Sequence, residues 1–174
     1  CGAEASRESR RIVELLEPLL ETGFAPRSAF KLVNTVLLLA GGEQHPAALD
    51  AGCIDLYTGA LEIFKLGAPG AFVIGQEGIQ VLEGRQVPAG ALEQAEPVLL
   101  SRKLWDGDRL IMVTDGVLDA LPGDDKEQVM GQFLDSLEEM PPQDMAEHVL
   151  DFALSFVPGA RDDMTVLAVQ VWKK

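Results

Sequence analysis

The hydrophobic period of this chain changes three times along its length, and that succession restricts the folds open to it more than any single motif does. Residues 4–21 place Ile12, Val13, Leu15, Leu16, Leu19 and Leu20 on one face with Arg and Glu opposite. That is the spacing of an amphipathic helix, and Gly23 is a natural stop. Pro26 opens a second helical stretch, whose wide apolar face of Phe30, Val33, Leu37, Leu38 and Leu39 runs up to Gly41-Gly42. From residue 47 the pattern shortens to strands. "AALDAGCIDLY" and "ALEIFKL" flank Thr58-Gly59, a hairpin signal, and further strand segments follow at 71–75, 79–83, 96–101 and 108–114. Gly67, Gly70, Gly75, Gly78, Gly84, Gly90 and Gly107 punctuate this region as consecutive antiparallel strands require. Helical period returns in "DKEQVMGQFLDSLEEM" and "PQDMAEHVLDFALSFV", divided by Pro141-Pro142, and "TVLAVQVW" closes the chain as a strand. Helix-helix, several strands, helix-helix, strand is the order of an α+β fold: an antiparallel β-sandwich flanked by helices, not alternating βαβ units.

Composition narrows what such a fold can do. A chain of 174 residues, 47% of them hydrophobic, supports one domain with a real core. Its formal charge of −14 argues against non-specific nucleic-acid binding, which is driven by Lys and Arg neutralising phosphates, and suits divalent cations better. The charge is unevenly spread: residues 1–35 are balanced, whereas residues 119–151 hold one Lys against many carboxylates. Cys1 and Cys53 are too few for a disulfide framework and lack zinc-ligand spacing, so a reducing, cytoplasmic setting is expected. The longest apolar run, at 35–40, falls far short of the ~18 residues of a membrane span. The chain begins with Cys and runs straight into a helical pattern, so it reads as a soluble domain cut from a longer protein, whose membrane anchor, if any, lies elsewhere.

Two acidic sites stand at strand ends. "RLIMVTDGVLDA" delivers Asp115 to the tip of an apolar strand, and "GARDDMTVLAV" sets Asp162 and Asp163 just before the closing strand. Adjacent carboxylates repel, and holding them together costs free energy unless a cation offsets it. If the two strands are antiparallel neighbours, Asp115 leaves one at the same side of the sheet where Asp162 enters the other. The pair would then suit a hard divalent ion, Mg2+ or Mn2+. Locally, however, Asp115-Gly116 is most simply a turn in which Gly supplies positive φ, and Asp162 reads equally as a capping acid or a partner of Arg161. The remaining acids between 124 and 151 read as a solvated helix face. His45 and His148 are far apart, with no Ser or Cys nucleophile signature nearby, and "WDGDRL" fails as a calcium loop because the fifth position, counted from Asp106, is Leu110 and no Gly follows it.

"CGAEASRESRRIVELLEPLLETGF", "DLYTGALEIFKLGAPGAFVI", "VPAGAL", "GDRLIMVTDGVLDA" and "ARDDMTVLAVQV", taken in order, resemble the PPM-type (protein phosphatase 2C-like) metal-dependent Ser/Thr protein phosphatases, specifically the phosphatase domain of the stage II sporulation protein E group. The resemblance implies αββα layers and a site of two Mn2+ or Mg2+ ions that activates water. It makes Asp115 and Asp162 metal ligands, with Gly116 and Asp163 lying behind them. It also implies a substrate: phosphoserine on a small anti-anti-sigma-type regulator, whose dephosphorylation controls a sporulation sigma factor. The family's other metal element is an Asp-Gly-x-Gly-x-Gly loop that supplies the bridging carboxylate. Here only its tail, Cys1-Gly2, is present, so the expectation is a single phosphatase domain over 1–174 lacking its first strands and first metal loop.

Two rivals remain at this stage. A haloacid-dehalogenase-like phosphatase would need a nucleophilic Asp two residues before Asp115, and that position is Val113. A non-catalytic, phosphatase-like regulatory module would work through the two leading helices. Those helices either simply cover the sheet or form a movable element that couples partner binding or homodimerisation to assembly of the metal site.

Overall fold

The computed structural model describes residues 3–39, 46–84, 87–93, 95–157 and 162–172. Cys1, Gly2, the Gly41-Gly42 stop, His45 and Arg161 lie outside the described residues. The chain contains two antiparallel sheets with helices, as the changes of period require, and divides into two compact units.

The first unit draws on residues 1–54, 61–68 and 84–101. It contains α1 (Ala3–Glu21), α2 (Pro26–Leu39) and most of a sheet ordered β1-β2-β5, with β1 at Leu49–Ile54, β2 at Ala60–Leu66 and β5 at Val98–Lys103. Strands β1 and β2 pair antiparallel, with Leu49 opposite Leu66 and Ile54 opposite Leu61. The hairpin at Thr58-Gly59 is present, with Gly59 at φ +73°, the left-handed conformation that such a turn asks of glycine. Ile12, Phe30, Val33 and Leu37 from the helices bury against Phe64 and Leu66. The helical stripe is narrower than the sequence suggested: Ile12 is buried, yet Val13 is 55% exposed and Leu39 81% exposed. Each helical residue turns the side chain by about 100°, so a neighbour of a core position need not share its face. Strand β5 begins at Val98 rather than 96, and Glu96 ahead of it pairs with Arg27 and Lys31 of α2.

Those exposed ion pairs contribute little to holding the chain at Glu96 on α2. The stronger tie is Asn34, a buried polar side chain of α2. Its Nδ2 donates to the Leu92 carbonyl at 3.1 Å and its Oδ1 accepts from the Gly90 N–H at 2.8 Å, a two-point clamp on backbone groups that have few other partners. Asn34→Ala removes both bonds, leaving the Gly90 N–H without its partner and the Leu92 carbonyl with only the Ala95 N–H at 3.2 Å. It is expected to cost on the order of 2 kcal/mol, read as a fall of several degrees in the thermal midpoint; a midpoint within one degree of wild type would refute the clamp.

The second unit comprises residues 55–60, 69–83 and 102–174. Its sheet runs β4-β3-β6-β7, with β3 at Ala71–Gly75, β4 at Gly78–Leu82, β6 at Arg109–Val113 and β7 at Val166–Gln170. All its pairings are antiparallel. Helices α4 (Lys126–Asp135) and α5 (Pro142–Leu154) lie on it, burying Met130, Leu134, Met145 and Val149 against Phe72, Ile74, Ile111 and Val113. Asp125 starts α4 by accepting the Gln128 N–H. The helix stops at Asp135, short of the expected 140, where Ser136 turns back to donate to the Phe133 carbonyl. Rings of Phe133 and Phe152 stack at 3.8 Å and bind the two helices together. One element went unread in the sequence: α3 (Asp115–Asp119), a short helix that begins where β6 ends.

Candidate metal centre

Strand β6 is apolar after Arg109, with Leu110, Ile111 and Val113 buried, and its neighbour β7 is the closing strand. Their register sets Arg109 opposite Gln170 and Val113 opposite Val166. Asp115 therefore leaves β6 on the side of the sheet from which the 162–165 segment enters β7, as the antiparallel reading required. One Cβ–Cβ relation shows how close the two loops lie: a methyl built on Gly116 would sit 3.4 Å from the Asp162 Cβ and 2.5 Å from the Asp163 carbonyl oxygen.

The turn reading of Asp115-Gly116 is replaced by another. Thr114 adopts an extended conformation (φ −80°, ψ 162°) at the N-cap position, and Asp115 is the first residue of α3. Gly116 does not have positive φ; it is buried, and its lack of a side chain is what lets the Asp163 backbone approach. Asp115 and Asp162 are exposed and arranged alike. In each, Oδ1 accepts the N–H of the following residue, Gly116 at 2.9 Å and Asp163 at 2.8 Å. The second oxygen of each carboxylate has no hydrogen-bond partner among the described residues. Each acid is thus steadied by one oxygen, and both side chains are exposed. Two hard oxygen donors beside a cradle that admits no Cβ fit a divalent ion of the Mg2+ or Mn2+ type. Among the described residues no group of three or more His, Cys, Asp or Glu gathers to hold a metal, so these two acids alone would fill only part of a coordination shell.

The other candidates resolve into structural roles. His148 faces the Asp144 carbonyl one turn back on α5. Asp108 of "WDGDRL" is buried and accepts the Trp105 N–H at 2.8 Å. Val113 is buried and the sheet is antiparallel, so a phosphoaspartyl enzyme built on alternating βαβ units is ruled out. Sequence reasoning passed over Thr114 and Thr165. Their side chain and backbone join the two acidic loops, and the only signal was their position beside each acidic element.

The sequence model of the family described as "Stage II sporulation protein E (SpoIIE)" matches residues 1–172. The chain belongs to the SpoIIE family. It is similar to Stage II sporulation protein E of Bacillus subtilis (strain 168), with 27% identity over 172 residues, 98% of this chain and 21% of that protein. Among solved structures it matches the PP2C phosphatase domain, with a fragment of the regulatory domain, of the cell fate determinant SpoIIE from Bacillus subtilis. That match has a TM-score of 0.88 at 27% identity and covers 98% of this chain and 51% of that one. It also matches the phosphatase domain of the same protein presoaked with Mn, with a TM-score of 0.72 at 26% identity over 93% of this chain and 72% of that one. This SpoIIE-family chain thus has the mixed α/β fold of the PP2C phosphatase domain and spans about a fifth of its curated relative. No helix among its described residues is long and apolar enough to cross a membrane.

Proposed function

We propose that this chain acts as a metal-dependent PP2C-type protein serine/threonine phosphatase domain, with phosphoserine on a small anti-anti-sigma-type regulator of sporulation as substrate. The observation that carries the reading is the meeting of the Asp115 and Asp162 loops at one end of the β6–β7 pair. Asp115 and Asp162 would hold a divalent ion, Mn2+ or Mg2+, with Asp163 and Gly116 shaping the backbone behind them. When bound, such an ion makes a coordinated water acidic enough to attack phosphorus and offsets charge on the phosphoryl oxygens. The protein's own part is to hold the two exposed carboxylates close together at one end of the β6–β7 pair. Membership of the SpoIIE family and the Mn-presoaked relative support this assignment.

A second reading, a phosphatase-like regulatory module without activity, is favoured by the lack of a third metal-binding acid among the described residues. One assay separates the two: Mn2+-dependent phosphate release from a phosphoserine protein, by this chain and by the protein expressed from its full reading frame. Asp115→Asn is expected to lower the rate at least about 100-fold, since it removes a charged oxygen from the ion. Full activity in Asp115→Asn sinks the phosphatase site, and inactivity of the full-length wild type with Mn2+ favours the regulatory module.

A further inference from the structure

The handover from β6 to α3 depends on a single hydroxyl. Past the last ladder pair, Val113 and Val166, the Thr114 N–H still donates to the Thr165 carbonyl at 3.1 Å. The reciprocal bond of a regular antiparallel ladder would go from the Thr165 N–H to the Thr114 carbonyl. That carbonyl is used instead by the Val117 N–H at 3.0 Å, which opens α3. The Thr114 side chain takes its place: Oγ1 accepts the Thr165 N–H at 2.9 Å. The same hydroxyl donates its own proton to the Asp163 carbonyl at 3.3 Å. Both capacities of one O–H group are therefore spent on the loop that carries Asp162, by the residue that immediately precedes Asp115. The Asp163 carbonyl is the atom that Gly116 makes room for, so hydroxyl and glycine seat one peptide from two sides.

From this geometry we infer that Thr114 is a positioning residue, whose hydroxyl sets Asp115 and Asp162 relative to each other before a divalent ion arrives. The inference rests on the proposed metal site and adds to it the group that preorganises the pair. Isolated loops would have to be ordered at the moment of binding; here β6 and β7 bear that cost beforehand. Thr114 touches neither the ion nor the substrate, and it acts through the two backbone segments it joins.

The test is Mn2+ titration of the full-length protein, followed by the electron paramagnetic resonance signal of free Mn2+, for wild type and for Thr114→Val, Thr114→Ser and Asp115→Asn. Valine keeps the shape and removes both hydrogen bonds, while serine keeps both. Thr114→Val is expected to weaken Mn2+ binding about 10- to 100-fold, the usual range for groups that orient metal ligands. The Mn2+ concentration for half-maximal phosphatase rate should rise in parallel, with the rate at saturating Mn2+ largely restored. Thr114→Ser should stay within about threefold of wild type, a rescue that a merely packed side chain would not require to be polar. Should Thr114→Val fail to fold, the serine variant decides: Mn2+ affinity lost in Thr114→Ser overturns the inference. It is equally overturned if Thr114→Val binds Mn2+ like wild type while Asp115→Asn does not, a result that leaves the metal site standing. No Mn2+ binding by wild type overturns the metal site and this inference with it.

Discussion

Gly116→Ala is expected to reduce Mn2+-dependent phosphatase activity about 100-fold, the scale of a displacement near 1 Å at a catalytic site. The added methyl meets the Asp163 carbonyl oxygen at 2.5 Å and its carbon at 3.2 Å, and both are backbone, which cannot rotate away as a side chain tip can. Either the 162–165 segment retreats, parting Asp162 from Asp115, or α3 shifts as a body. The stability cost of such overpacking is about 1–3 kcal/mol, small beside the effect on the site. Gly131→Ala is the control. Gly131 also lies in a helix, α4, but a methyl there meets nothing within 4 Å. That change should stabilise by about 0.5–1 kcal/mol through helix propensity alone and leave the rate untouched. Equal rates for Gly116→Ala and wild type would show that the Asp163 peptide has no part in the site.

The second large effect lies in the first unit. Lys65 on β2 is 0% exposed and stands directly opposite Asp50 of β1, to whose carboxylate it donates. The pair is incompletely satisfied, because Asp50 Oδ1 is buried with no hydrogen-bond partner among the described residues. Burial holds the Asp50 carboxyl above its usual range, against the pull of the Lys65 ammonium. Such a pair adds little net stability but is costly to break, since either half alone is a buried, uncompensated charge. Asp50→Leu alone, or Lys65→Met alone, should therefore destabilise by about 3–5 kcal/mol, whereas the two together should be neutral or stabilising. Urea midpoints of the two single variants and the double variant check this. A double variant as unstable as the sum of the singles would mean that the ion pair itself supports the sheet.

Lys65 also marks a limit of pattern reading. In "ALEIFKL" it sits among apolar residues and looks like a strand's polar face turned to water. It became a core residue only because β1 set a carboxylate across from it. Val13 errs the other way: apolar and adjacent to Ile12, it points away from the face that α1 buries. Both cases arise because a residue's burial is decided by what comes to lie against it, which sequence spacing does not contain. Helix and strand periods survive translation into structure well, and β2, β3 and α2 begin where Ala60, Ala71 and Pro26 announced them. The ends are less legible: α4 stops at Asp135, where Ser136 bonds back to its own last turn, and β5 starts at Val98, two residues later than its pattern suggests.

The site divides along the same line. Asp115 and Asp162 were named from strand ends and a family resemblance, because a carboxylate at the tip of an apolar run is a local feature that the chain writes out directly. Their proximity, the buried role of Gly116 and the bridging hydroxyl of Thr114 follow from β6 lying next to β7 in one particular register. That register is set by the packing of Ile111, Val113, Val166 and Ala168 under α4 and α5. A slip of one residue would turn every side chain of β7 to the opposite face. The order of elements and the identity of the acids are thus properties of the chain read locally. The alignment of those acids is a property of the packed sheet, because only long-range burial fixes which residues of two distant strands stand opposite each other.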